Sequence, residues 1–180
     1  MNINDPNYPK RRSYRLEGYN YCLSGGYFIT VCTSNMVDLF GYIHNSRMVP
    51  NTFGSIVEEE WFKSSKLREN IELYKDEFVL MPNHIHGILW IMNSKVNENQ
   101  TRRNKPGSQI GSLGSIIGQF KSRTSKRINI LGNSPGKSIW QRNYYDHIIR
   151  NEKDLKVIRK YILGNPYKWE EGVDFIQYEK

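Results

Sequence analysis

The stretch from Phe78 to Ile91, FVLMPNHIHGILWI, is the most hydrophobic in the chain and is broken once, at Pro82-Asn83. A run this rich in aliphatic and aromatic residues predicts a buried central strand pair or one kinked central strand. In an extended segment, side chains at i and i+2 share one sheet face, so His84 and His86 point the same way while Ile85 enters the opposite layer. Two imidazoles so placed can grip one divalent ion that takes a third ligand and keeps positions open for substrate oxygens. The alternative is a pair of surface or hydrogen-bonded histidines.

Other segments supply partners for that strand. Gly26 to Thr33 predicts a buried strand, and Leu39 to Ile43 follows within hairpin distance, so the two are expected to pair antiparallel. Asn51 or Thr52 can cap a helix running to about Glu72, with Ile56, Val57, Trp61, Phe62 and Leu67 inward. Leu113, Ile116, Ile117, Phe120 and Ile128 form one stripe of a second helix, flanked or opposed by Lys121, Arg123, Lys126 and Arg127. Between them, the polar stretch from Asn93 to Ser108 reads as a mobile connection, the core of a flexible basic link at about 93–110. Ser138 to Gln141 is a short strand candidate. A last helix starts near Asn151 and runs to about Gly164, where Pro166 opposes continuation. At 180 residues without an internal repeat, one domain is expected.

Twenty-six Lys and Arg against eighteen Asp and Glu leave a net charge of +8, and its position is informative. The stretch from Ser94 to Lys137 holds nine basic residues and one acidic, so the remainder balances. A positive field confined to one segment favours nucleic acid or an anionic membrane surface, against the plain alternative of a solvated basic face. The longest apolar run, Ile85 to Met92, falls far short of the ~20 residues that cross a bilayer, so no transmembrane helix is expected. The polar, basic N-terminus argues against export, and Cys22 and Cys32 lack metal-type spacing and read as reduced cytosolic thiols.

Tyr161 and Asn165 are four apart in the last helix and so share a face. A tyrosine phenoxide can attack phosphorus to form a phosphotyrosine when a metal polarises the phosphate. The opposing reading is a packed helical tyrosine with its hydroxyl at the surface, one of twelve in the chain.

Three ordered motifs, Met81-Pro82-Asn83-His84-Ile85-His86-Gly87, Tyr144-Tyr145-Asp146-His147-Ile148-Ile149-Arg150 and Tyr161-x-x-x-Asn165-Pro166, are joined by Gly26-Tyr27-Phe28-Ile29-Thr30 and Trp140-Gln141. From about Arg11 to Trp169 the chain resembles the single-tyrosine HUH transposases, and within them the REP-associated tyrosine transposases. The resemblance implies a single α+β domain, an antiparallel central sheet flanked by helices in the ferredoxin-like HUH endonuclease arrangement. It implies that His84 and His86 bind Mg²⁺ or Mn²⁺ with Asn165 as third ligand. Tyr161 would then attack a phosphodiester of single-stranded or hairpin DNA, leaving a 5′-phosphotyrosine and a free 3′-OH that can rejoin strands. No membrane partner is implied; the protein would be a monomer or homodimer associated with the bacterial nucleoid in the cytoplasm.

On this reading Lys121, Arg123, Lys126 and Arg127 track DNA phosphates, and His147 contacts DNA or supports the site, unless it is a hydrogen-bonded structural histidine. Tyr144 and Tyr145 are rival nucleophiles, better suited to strand packing or base stacking. Gly164 and Pro166 around Asn165 can end the helix early, which loosens the third ligand. Two rival functions stand beside the transposase: a DNA-binding protein of the same fold without cleavage, and a metal-dependent hydrolase in which water replaces Tyr161.

Overall fold

The computed structural model describes residues 15–16, 18–92 and 109–172. Its main sheet is built on two long antiparallel strands, β1 (Gly25–Cys32) and β6 (His84–Ile91), paired from Gly25↔Ile91 to Cys32↔His84. β7 (Tyr145–Ile149) lies on the free side of β1, while β4 (Ile71–Glu72) and β5 (Phe78–Leu80) share the free side of β6, all antiparallel. The histidine strand is therefore central, and Pro82-Asn83 forms the corner of the β5–β6 pair.

Alternation along these strands sorts the core into two layers. Tyr27, Ile29, Val31, Ile85, Leu89 and Ile91 face α1 (Thr52–Lys66) and α2 (Leu113–Leu131), meeting Val57, Trp61, Ile117 and Phe120. Phe28 and Ile88 face the other way, against Leu155, Ile158 and Ile162 of α3 (Glu152–Glu170). Gly87 is required where the first layer is tightest, because a Cβ there would stand 2.6 Å from the Trp61 ring. The three helices start on Asn51, Ser112 and Asn151, whose side chains accept from Gly54, Ser115 and Asp154 N–H groups.

Four expectations change. The Leu39–Ile43 segment does not pair with β1, both of whose edges are filled by β6 and β7. Instead β2 (Gly41–His44) pairs with β3 (Arg47–Pro50) in a separate ribbon, across a two-residue turn in which Asn45 and Ser46 adopt φ of 49° and 55°. The first helix stops at Lys66 rather than near Glu72, because Ile71 is taken up as the partner of Ile91; Leu67 is left 54% exposed. Ser138–Gln141 contributes one bridge, Trp140 to Thr33, rather than a strand. The expected connection at about 93–110 lies almost wholly outside the described residues.

The fourth change bears on the site. α3 does not end near Gly164 but continues through Pro166 to Glu170. A mid-helix proline costs about 3 kcal/mol, since it leaves the carbonyl four residues back without its partner. Burial of Ile158 and Ile162 on the inner face offsets this, and Glu170 beyond the proline accepts from the N–H and hydroxyl of Ser46, each at 2.8 Å. Asn165 therefore stays helical and on the face of Tyr161.

Candidate active site

β6 presents both imidazoles to the α3 side of the sheet, His84 1% and His86 0% exposed. Their Nε2 atoms lie 3.0 Å apart. Each ring is held from behind, His84 Nδ1 at 2.7 Å from Asn83 Oδ1 and His86 Nδ1 at 2.8 Å from Thr30 Oγ1 on the paired strand. Phe28, two residues before Thr30, stacks on His86 with ring centroids 5.5 Å apart.

α3 completes the cluster. The Tyr161 hydroxyl is 3.3 Å from His86 Nε2, and the Tyr161 ring meets both His86 and the edge of Phe28. Tyr161, Asn165 and Lys168 fall at i, i+4 and i+7, one stripe of the helix. The Lys168 ammonium stands 5.2 Å over the Tyr161 ring, and the Trp169 ring lies 5.9 Å from His84. Asn165 is fully buried, and neither its Nδ2 nor its Oδ1 has a well-formed hydrogen bond.

Burial pulls the His84 imidazole down to about 4, with the neighbouring Asn165 amide opposing the shift in part. His86 is held well below its ordinary value, first by burial and then by His84. Both rings are thus neutral near pH 7, the state in which an imidazole can donate a lone pair to a metal. Two cis donors on an octahedral ion with bonds of ~2.1 Å are separated by about 3.0 Å, the spacing seen here. The buried amide of Asn165, beside His84, is of a type that would serve as a third donor. Among the described residues no group of three or more His, Cys, Asp or Glu is placed to hold a metal ion. The residues fit a Mg²⁺- or Mn²⁺-sized ion.

The four basic residues expected on DNA lie on α2, across the sheet from the histidines. Arg123 Nε is 2.8 Å from Glu60 Oε2 and Arg127 NH1 is 2.9 Å from Glu60 Oε1, while Arg127 NH2 reaches Glu59 at 2.7 Å. Glu60 is buried, so these guanidiniums neutralise an interior carboxylate and join α1 to α2. The Lys121 ammonium donates to the carbonyls of Gln141 and Arg142, and burial pulls it down to about 8. Lys126 alone of the four is exposed with no hydrogen bond or ion pair to a described residue.

His147 takes the structural alternative, binding the Asp154 carboxylate at 2.9 Å and so tying β7 to α3. Tyr144 accepts from Arg15 at 2.8 Å, and Tyr145 packs on Phe28. Of the three tyrosines weighed as nucleophiles, Tyr161 is the one at the histidine pair. Thr30, Lys168 and Trp169 were not legible as site residues; Lys168 could have been found by carrying the Tyr161–Asn165 stripe one further turn.

Among the described residues no helix is long and apolar enough to cross a membrane. No family model matches the chain. An uncharacterized protein of Haemophilus influenzae is 41% identical over 172 residues, which span 89% of this chain and 91% of that protein. The solved structure of a REP-associated tyrosine transposase bound to a REP hairpin superposes with a TM-score of 0.56 at 21% identity, covering 86% of this chain and 74% of that one. The chain belongs to one family with the Haemophilus influenzae protein, and its α+β fold is the fold of the REP-associated tyrosine transposase that its motifs resemble.

Proposed function

We propose that this protein cleaves and rejoins single-stranded or hairpin DNA in the bacterial cytoplasm through a covalent 5′-phosphotyrosine. The observation that carries this reading is the Tyr161 hydroxyl 3.3 Å from His86 Nε2, itself 3.0 Å from His84 Nε2. A phenol set against two neutral imidazoles and a buried carboxamide has the parts of a phosphoryl-transfer site. The bound hairpin of the structural neighbour and this chain's net charge of +8 support DNA as substrate.

In this mechanism His84, His86 and Asn165 would hold Mg²⁺ or Mn²⁺, which would supply polarisation of a phosphoryl oxygen. Tyr161 Oη attacks phosphorus, the bond from phosphorus to the 3′ oxygen breaks, and the phenolic proton passes to that oxygen. One phosphodiester replaces another, so the 3′-OH can attack in turn and rejoin the strand. Phe28 and His86 pack the Tyr161 ring and limit its swing, and Lys168 places a cation beside the phosphate.

Hairpin oligonucleotides from the DNA flanking the gene, incubated with Mn²⁺ and run on a denaturing gel, test the reading. A protein-linked band that requires Mn²⁺ and disappears in Tyr161→Phe supports it. Cleavage that survives in the Phe variant assigns the attack to water or another tyrosine; binding without cleavage makes the protein a DNA-binding relative.

A further inference from the structure

We infer that Asn83 is a positioning residue that fixes the proton of His84 on Nδ1 and thereby turns the Nε2 lone pair toward His86. The hydrogen-bond argument stands on the chain alone, and its consequence for metal binding rests on the proposed function.

The corner that carries Asn83 is rigid. Leu39 and Phe40 N–H groups both donate to Pro82 O, at 2.8 and 2.9 Å, and Thr33 N–H donates to Asn83 O at 2.8 Å. Asn83 itself is 6% exposed, so its side chain has little room to turn. Its Nδ2 lies 3.2 Å from the carbonyl oxygen of Met36. A backbone carbonyl can only accept, so the NH₂ end of the amide must face it, and this sets the sense of the amide without reference to the histidine.

The oxygen end then faces His84 Nδ1 at 2.7 Å. An amide oxygen also only accepts, so His84 Nδ1 must carry hydrogen. In the neutral ring Nε2 then has none, and it is Nε2 that points at His86. The partner ring is not committed by its own backing residue. His86 Nδ1 meets the Thr30 hydroxyl, which can donate or accept, so His86 follows its neighbour: in the metal-free chain its Nε2 donates to the bare His84 Nε2, 3.0 Å away, and its Nδ1 accepts from Thr30. Asn83 thus explains why an asparagine precedes the histidine pair at a corner where glycine or aspartate would also turn the chain.

Two variants separate positioning from mere folding. Asn83→Asp keeps an accepting oxygen for His84 but loses the donor to Met36, whereas Asn83→Leu loses both. Long-range ¹H–¹⁵N spectra of the metal-free protein should show His84 protonated at Nδ1 in the wild type and in Asn83→Asp. Mn²⁺ titration by electron paramagnetic resonance should show affinity kept within about threefold in Asn83→Asp and reduced about 10- to 100-fold in Asn83→Leu, the range for loss of an orienting partner behind a histidine ligand. A wild-type His84 protonated at Nε2, or equal losses of Mn²⁺ affinity in the two variants, would overturn the inference. A wild type that binds no Mn²⁺ sinks the metal-dependent reading of the function, while the spectra still decide the tautomer.

Discussion

Arg159 on α3 donates through Nε at 2.9 Å to Glu77, a carboxylate with no solvent exposure, two residues before the tyrosine at the histidine pair. The other carboxylate oxygen of Glu77 accepts from the Trp90 indole on β6 at 2.6 Å, so one buried acid ties the tyrosine helix to the histidine strand. Arg159→Ala leaves that acid without its cation. Leaving a buried carboxylate without its cation costs up to about 3 kcal/mol, discounted here because the Arg159 side chain is 42% exposed, a loss that urea unfolding will measure. Because the tether sits half a turn from Tyr161, single-turnover adduct formation should slow at saturating DNA with the dissociation constant little changed.

Asn165 has a less intuitive dependence. A fully buried carboxamide with no well-formed hydrogen bond destabilises the metal-free fold, so Asn165→Leu, close to it in volume, should stabilise that form by about 1 kcal/mol. Mn²⁺ should raise the Tm of the wild type, and the same variant should lose that rise. Calorimetry with and without Mn²⁺ checks both halves, and a destabilised metal-free Leu variant would contradict the account.

Acid stability should centre on Glu60. Burial raises its affinity for a proton, but the guanidiniums of Arg123 and Arg127 outweigh burial and hold the carboxyl below its ordinary value of 4.5. A value lower in the folded than in the unfolded chain gives stabilisation that is fully present above the unfolded value and fades as pH falls through the folded one. Glu60→Gln should therefore lower stability at neutral pH. Urea titrations repeated at descending pH should show wild type and variant converging as pH falls below the ordinary carboxylate value.

The two arginines and Lys126 should separate in DNA binding. Lys126→Gln should lower the slope of log affinity against log salt by roughly one, as loss of a single phosphate contact does. Arg123→Gln, whose guanidinium is engaged by Glu60, should lower stability and leave that slope intact. Fluorescence anisotropy across a salt series distinguishes them; a slope change in Arg123→Gln alone would place the DNA against the other side of α2.

How much of this was legible in the sequence depends on the range of the interaction. His84 and His86 share a sheet face, and Tyr161 and Asn165 a helix face, by spacing alone. The meeting of those two faces was legible from the family motifs and not from spacing. Arg123 and Glu60 are 63 residues apart, and a charge tally cannot say which cations an interior carboxylate will take. Leu39–Ile43 reads equally well as a partner for β1 or for β3; competition from β7 for the free edge of β1 decides it. Pro166 is a sound local stop signal, overridden because Ile158 and Ile162 are buried and Ser46 holds the far end of α3.

Trp169 is one of four tryptophans, and its ring stands 5.9 Å from His84. Trp61 and Trp140 are sealed in the opposite layer, and the Trp90 indole is engaged by Glu77. Emission from Trp169 is therefore exposed to whatever occupies the histidine pair, and a paramagnetic ion there would quench it at contact range. Filling and emptying of the site can be followed as light from the native chain, without a dye or an engineered label.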